Sequence, residues 1–135
     1  MNSILIASTK KSSGKTTVAI GLAAVLSKEY KQLSVFKKGP DYIDPLWLSA
    51  ASNCPCYNLD FHTMTNKEIK DFYRQKTCKS EISIVEANKG LFDGVSLNGI
   101  DSNAALAKLL NLKVVLIVDC EGMTRGIAPL INGYR

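Results

Sequence analysis

Two stretches of this sequence carry side chains whose types and spacing could do chemistry. In "TKKSSGKTT", Gly14-Lys15-Thr16-Thr17 follows a short apolar run and opens a helical pattern. Unpaired N–H groups at such a helix start face an anion, Lys15 can reach terminal phosphates, and the Thr16 hydroxyl can ligate Mg2+. Ser13 and Thr17 belong to the same candidate phosphate-binding set. The second stretch, "FKKGPDYIDP" from Phe36 to Pro45, sets two lysines, a glycine and two aspartates around Tyr42. A solvated turn explains the charges and the Gly-Pro pair, yet gives no reason for Asp41 and Asp44 to flank Tyr-Ile. The reason depends on what lies before and after the loop.

These residues need elements to position them. "SILIAS" reads as a buried strand, and "TTVAIGLAAVLSKEY" as a helix whose Val18, Leu22, Val25 and Leu26 share one face. "LSVFK" is a second strand, and a short helix begins near Pro45. The segment through "NCPCYNLD" to His62 reads as irregular. Thr65 and Glu68 have capping-box spacing ahead of a helix from about Asn66 to Cys78. "ISIVE" is a third strand, ending in Glu86 and followed by the glycine-rich "NKGLFDG"; "SNAALAKLLN" is a helix capped by Ser102. Val114 to Asp119 forms a fourth strand, and "TRGIAPLINGYR" begins another helix despite Pro129. Strands alternating with helices predict an α/β fold, a parallel sheet with flanking helices. Glu86 and Asp119 both end apolar strands, where ligand sites of such sheets form, so both are metal candidates. The final helix leads into no visible strand, so the expectation is one incomplete α/β domain over residues 1–135.

At 135 residues and 46% hydrophobic the chain can bury one core. Cys54, Cys56, Cys78 and Cys120 lack paired CxxC spacing, which favours reduced thiols over zinc or iron-sulfur ligation. No apolar run approaches the roughly 20 residues of a membrane span, and the N-terminal run is too short for a secretory signal, so a cytoplasmic location is expected. The formal charge of +5 favours anionic partners without choosing among them. No basic stripe interleaved with aromatics speaks for nucleic acid; Trp47, Phe61 and Phe72 suggest packing, and His62 an exposed position.

The blocks "ILIASTKKSSGKTTVAIGLAAVL", "VFKKGPDYIDP", "YNLD", "IVEANKGLFDG" and "AKLLNLKVVLIVDCEGM" give the chain its resemblance. In order and spacing it resembles the N-terminal P-loop ATP-binding domain of the cobyrinic acid a,c-diamide synthase family, related in fold to MinD and dethiobiotin synthetase. The match runs through essentially the whole chain, and the GPDYIDP block is its most distinctive part. The resemblance implies ATP- and Mg2+-dependent activation of carboxylates on a corrin-type polycarboxylate as acyl phosphates, then amidation with ammonia from a C-terminal glutaminase domain absent from these residues. It makes Lys37 face the γ-phosphate or acyl phosphate, Asp41 and Glu86 bind Mg2+ with Thr16, Tyr42 line the substrate cleft, and Asp93 serve the substrate side. Asp44 would hold the loop in shape or assist; Asp119 would support the site from behind or cap the next turn. None of the thiols is a credible glutaminase nucleophile.

Three departures stand out. Thr9 occupies the first glycine position of the P-loop pattern, Lys11-Ser12 stand where deviant P-loops carry glycines, and Ala87-Asn88-Lys89 replace a glycine and an apolar pair. Lys10 matches the extra lysine of MinD and ParA ATPases; a phosphate across a homodimer, a phosphate in its own site, and solvent all remain open to it. Two rivals follow: a ParA/MinD-like ATPase switch, and an inactive nucleotide-binding fragment.

Overall fold

The structure, a computed structural model, describes residues 2–135. Its elements are β1 (Asn2–Ser8), α1 (Lys15–Glu29), β2 (Leu33–Lys38), α2 (Asp44–Ser52), β3 (Cys56–Leu59), α3 (Asn66–Thr77), β4 (Ile82–Glu86), α4 (Asn103–Leu110), β5 (Lys113–Ile117) and α5 (Ile127–Asn132). The five strands form one sheet in the order β3-β2-β4-β1-β5, with every pairing parallel. The expected α/β fold is borne out.

Alternation along the strands divides the core in two. Ile6, Val35 and Ile84 pack on one face against Ala19 and Ala23 of α1 and Leu48 of α2. Leu5, Phe36 and Val85 pack on the other against Ile69 and Tyr73 of α3 and Leu106 of α4. All of these except Tyr73, at 5% exposure, are fully buried.

Several expectations need correcting. The segment read as irregular contains β3, which among the described residues pairs only with β2. At four residues, preceded by Pro55, it is too short to show a period of its own. The face of α1 is only half the expected one: Leu22 and Leu26 do pack against the core, but the buried residues are Lys15, Ala19 and Ala23, and Val18 and Val25 are 37% and 57% exposed. Alanines let the helix approach the sheet closely, so the small residues rather than the valines define the contact line. Trp47 does not pack into the core but stands 60% exposed. The last strand ends at Ile117, leaving Asp119 in the loop that follows.

Candidate functional site

The buried line of α1 places Lys15. Its spacing with Ala19 and Ala23 puts it on the line that meets the sheet, so its side chain is only 7% exposed although it is the first residue of the helix. The loop before it is tied down by Ser8 and Ser13, whose hydroxyls both donate to the Lys10 carbonyl, at 2.6 and 2.9 Å. Gly14 is the N-cap residue with φ 86°, and no side chain caps the helix. Ser12 adopts φ 61°, so the left-handed backbone associated with glycine persists at a serine. A cleft of about 440 Å³ opens on this helix start, lined by residues 11–17, Lys37, Asp44 and residues 87–89.

The opposite wall comes from strand register. Lys37 of β2 pairs with Glu86 of β4, so the two side chains share a face at the C-terminal edge of the sheet. Lys37 Nζ lies 2.6 Å from Asp44 Oδ2, 3.2 Å from Glu86 Oε2 and 3.9 Å from Asp41 Oδ2. The Thr16 hydroxyl donates to Glu86 Oε1 at 2.5 Å and stands 3.4 Å from Asp44 Oδ2. Glu86 is fully buried, and its Oε2 accepts no aligned hydrogen bond despite the nearby ammonium.

The electrostatics follow from this crowding. Burial lowers the pKa of the Lys15 amine, and Lys37 adds to the effect while Glu86 and Asp44 oppose it. Burial raises that of Glu86, against the charge of Lys37 and the Thr16 hydrogen bond. For Asp44, burial pushes upward, but the hydrogen bond and charge of Lys37, with Asp41 and Thr16, hold it below its ordinary value. Burial, then Glu86, pushes the Cys56 thiol up to about 12, which keeps it protonated and inert.

The structure thus gathers Gly14, Lys15, Thr16, Thr17, Lys37 and Glu86 around one cleft, with Ser13 in its rim. It treats the two aspartates of the GPDYIDP loop differently. Asp41 Oδ1 accepts the N–H groups of Ile43 and Asp44 at 2.9 and 3.1 Å, shaping the start of α2, while Asp44 points at Thr16 and Lys37. Tyr42 is 78% exposed. Asp93 lies outside the cleft lining, its Oδ2 accepting from Gly90 N at 3.0 Å. Gly90 itself is confined: a Cβ there would stand 2.8 Å from the Thr9 carbonyl oxygen. Lys10 pairs with Asp119 at 3.1 Å, and Asp119 also accepts from Glu121 N, so both lie apart from the cleft. Sequence reasoning assigned no site role to Asn88 and Lys89; their position directly after Glu86 was the available signal.

Oxygens of Thr16, Glu86 and Asp44 converge, and Glu86 Oε2, which meets the Lys37 ammonium at 3.2 Å but accepts no aligned hydrogen bond, fits a cation-binding position. Among the described residues no group of three or more His, Cys, Asp or Glu forms a complete metal cage. A magnesium ion here would need phosphate oxygens and water for its remaining ligands, which suits an ion that dehydrates reluctantly.

Residues 4–125 match the CobQ/CobB/MinD/ParA nucleotide binding domain. The chain belongs to that family. It is 46% identical over 131 residues to a cobyrinate a,c-diamide synthase of Magnetococcus marinus, a match covering 97% of this chain and 28% of the relative. Against that of Syntrophotalea carbinolica it is 39% identical, covering 97% and 29%, and against that of Methanosarcina barkeri 41%, covering 98% and 28%. The resemblance read from the motifs is borne out, and the chain spans less than a third of the length of these CobQ/CobB/MinD/ParA relatives. Among the described residues, no helix of this nucleotide binding domain is long and apolar enough to cross a membrane.

Proposed function

We propose that this chain is the nucleotide-binding part of a cobyrinate a,c-diamide synthase. In this reading it uses ATP and Mg2+ to activate the a and c side-chain carboxylates of a cobyrinic acid-type tetrapyrrole for glutamine-dependent amidation. The observation that carries the reading is the uncapped start of α1, where Lys15 is buried without an ion pair among the described residues and shares a cleft with Lys37, Asp44 and its neighbour Thr16, whose hydroxyl donates to the buried Glu86.

Backbone N–H groups of residues 13–17 and the Lys15 ammonium hold the phosphates. Thr16, Glu86 and Asp44, with Asp41 close by, would hold the metal, which would supply positive charge to neutralise the phosphate oxygens. Lys37 stands where its ammonium offsets repulsion between the γ-phosphate and an incoming carboxylate. A carboxylate oxygen attacks the γ-phosphorus, the bond to the β,γ-bridging oxygen breaks, and ADP leaves. Ammonia from a glutaminase domain then attacks the acyl carbon, inorganic phosphate departs, and a proton is lost to leave the amide. Tyr42 and Asp93 serve the tetrapyrrole side.

Calorimetric titration with a non-hydrolysable ATP analogue, with and without Mg2+, tests the first half. Magnesium-dependent binding lost in Lys15→Ala is the expected result; equal binding by the variant would remove the phosphate reading. Binding of cobyrinic acid tests the second half.

A further inference from the structure

The lysines of "FKKGP" are consecutive, so the pleat of β2 sends them to opposite faces of the sheet. Lys37 faces the phosphate cleft. Lys38 lies among the elements of the other face and lines a second cleft of about 240 Å³ with Phe61, His62, Asn88, Lys89 and Val95. At 5% exposure it is buried almost as deeply as Lys37, but its surroundings differ.

Lys37 sits among three carboxylates, whereas Lys38 has no ion pair among the described residues. Its Nζ donates to the Asp101 carbonyl at 2.7 Å and to Asn88 Oδ1 at 3.3 Å, and it lies 5.6 Å from the centroid of the Phe61 ring. These are neutral partners, two acceptors for three ammonium protons. Two carboxylates, Asp60 and Asp101, also line this cleft, but both are engaged with the loops around it. Asp101 accepts from Val95 N and Ser96 N, and Asp60 from His62 N and the Thr63 hydroxyl. Burial lowers the Lys38 pKa, while the charges of Asp101 and Asp60 oppose that loss. A cation buried beside an open cleft, with Asp60 and Asp101 near but no carboxylate in direct ion-pair contact among the described residues, is suited to receive one from a ligand.

We propose that the Lys38 cleft is a carboxylate-binding subsite, separate from the phosphate cleft, that holds a non-reacting carboxylate arm of the polycarboxylate substrate. Asn88 and Lys89 line both clefts, so one molecule carrying several carboxylates could reach both across this shared wall. The choice of substrate rests on the function proposed above; the oxyanion chemistry of the subsite does not.

The test is titration of the chain and its Lys38→Met variant with cobyrinic acid, glutarate and inorganic phosphate. Methionine keeps the stem volume and removes the charge. Both carboxylates should bind the wild type, and Lys38→Met should weaken each by about tenfold or more. Equal binding by the variant, or no binding of either carboxylate to the wild type, overturns the subsite. Phosphate binding as strong and as Lys38-dependent as that of glutarate overturns the carboxylate assignment. Lys38-dependent glutarate binding without cobyrinic acid binding keeps the subsite and removes the tetrapyrrole from it. Should the variant fail to fold, wild-type amide NMR with glutarate decides: shifts centred on Gly39, Asn88 and Val95 support the subsite, and shifts centred on residues 14–17 overturn it.

Discussion

The starts of α1 and α3 satisfy the same physical requirement in opposite ways. At α3 the Thr65 hydroxyl accepts from Glu68 N at 3.3 Å and the Glu68 carboxylate accepts from Thr65 N at 2.7 Å, a closed capping box. At α1 the N-cap is Gly14, no side chain closes the end, the first turn holds no acid, and Lys15 is buried without an ion pair among the described residues. Helix ends leave N–H groups and a partial positive charge that something must meet. In α3 the adjoining sequence meets them; in α1 they open on a cleft. A helix start that stays uncapped beside a buried cation is suited to a ligand anion, and one that closes on itself serves stability.

The strongest test of that contrast is Lys15→Ala. It should weaken binding of an ATP analogue by about 100-fold, on the order of 3 kcal/mol, without lowering the melting temperature. A stability loss with unchanged affinity would make the two helix starts alike. Thr65→Ala should do the reverse, costing about 1 kcal/mol in denaturant unfolding with nucleotide affinity unchanged. A smaller effect is expected at Ser12, whose left-handed φ strains any residue with a Cβ. Ser12→Gly should add about 0.5 kcal/mol to stability, left-handed strain relieved less the extra freedom of the unfolded glycine. Destabilisation would mean that the serine side chain holds the loop.

The gentlest test is pH. The Thr65 N–H, then its hydroxyl, holds the Glu68 pKa below its ordinary value. The folded pKa therefore lies below the unfolded one. Its contribution is present above roughly pH 4.3 and disappears as pH falls through the folded value. Acid melting curves of Glu68→Gln should show a shallower loss of stability in that window than those of the wild type. An unchanged slope would mean the capping carboxylate contributes nothing measurable.

Legibility differed from residue to residue. The capping box at Thr65 and the Ser102 cap were readable because each spans four residues and depends on local spacing alone. So was the strand–loop–helix arrangement around Gly14 and Lys15, whose residues are contiguous. β3 was hidden because an edge strand of four residues pairs with a distant neighbour and shows little pattern of its own. The buried line of α1 was half right: Leu22 and Leu26 pack as read, but Val18 and Val25 give way to Ala19 and Ala23, because close packing on a sheet favours the smaller side chain. Asp41 and Asp44 looked equivalent, and only the turn between them decides that one shapes the backbone while the other reaches Lys37 and Thr16.

The sequence by itself determined the α/β class, the strand, loop and helix start that form the proposed phosphate site, two helix caps and the family, since each is written in contiguous residues or in an ordered set of motifs. Tertiary structure alone decided that Thr16 and Glu86, 70 residues apart, share a hydrogen bond, and that Lys37 is enclosed by acids while Lys38 is not. Parallel strand register brings side chains from remote segments to one edge of the sheet, and the two-residue pleat sends neighbours to opposite sides of it.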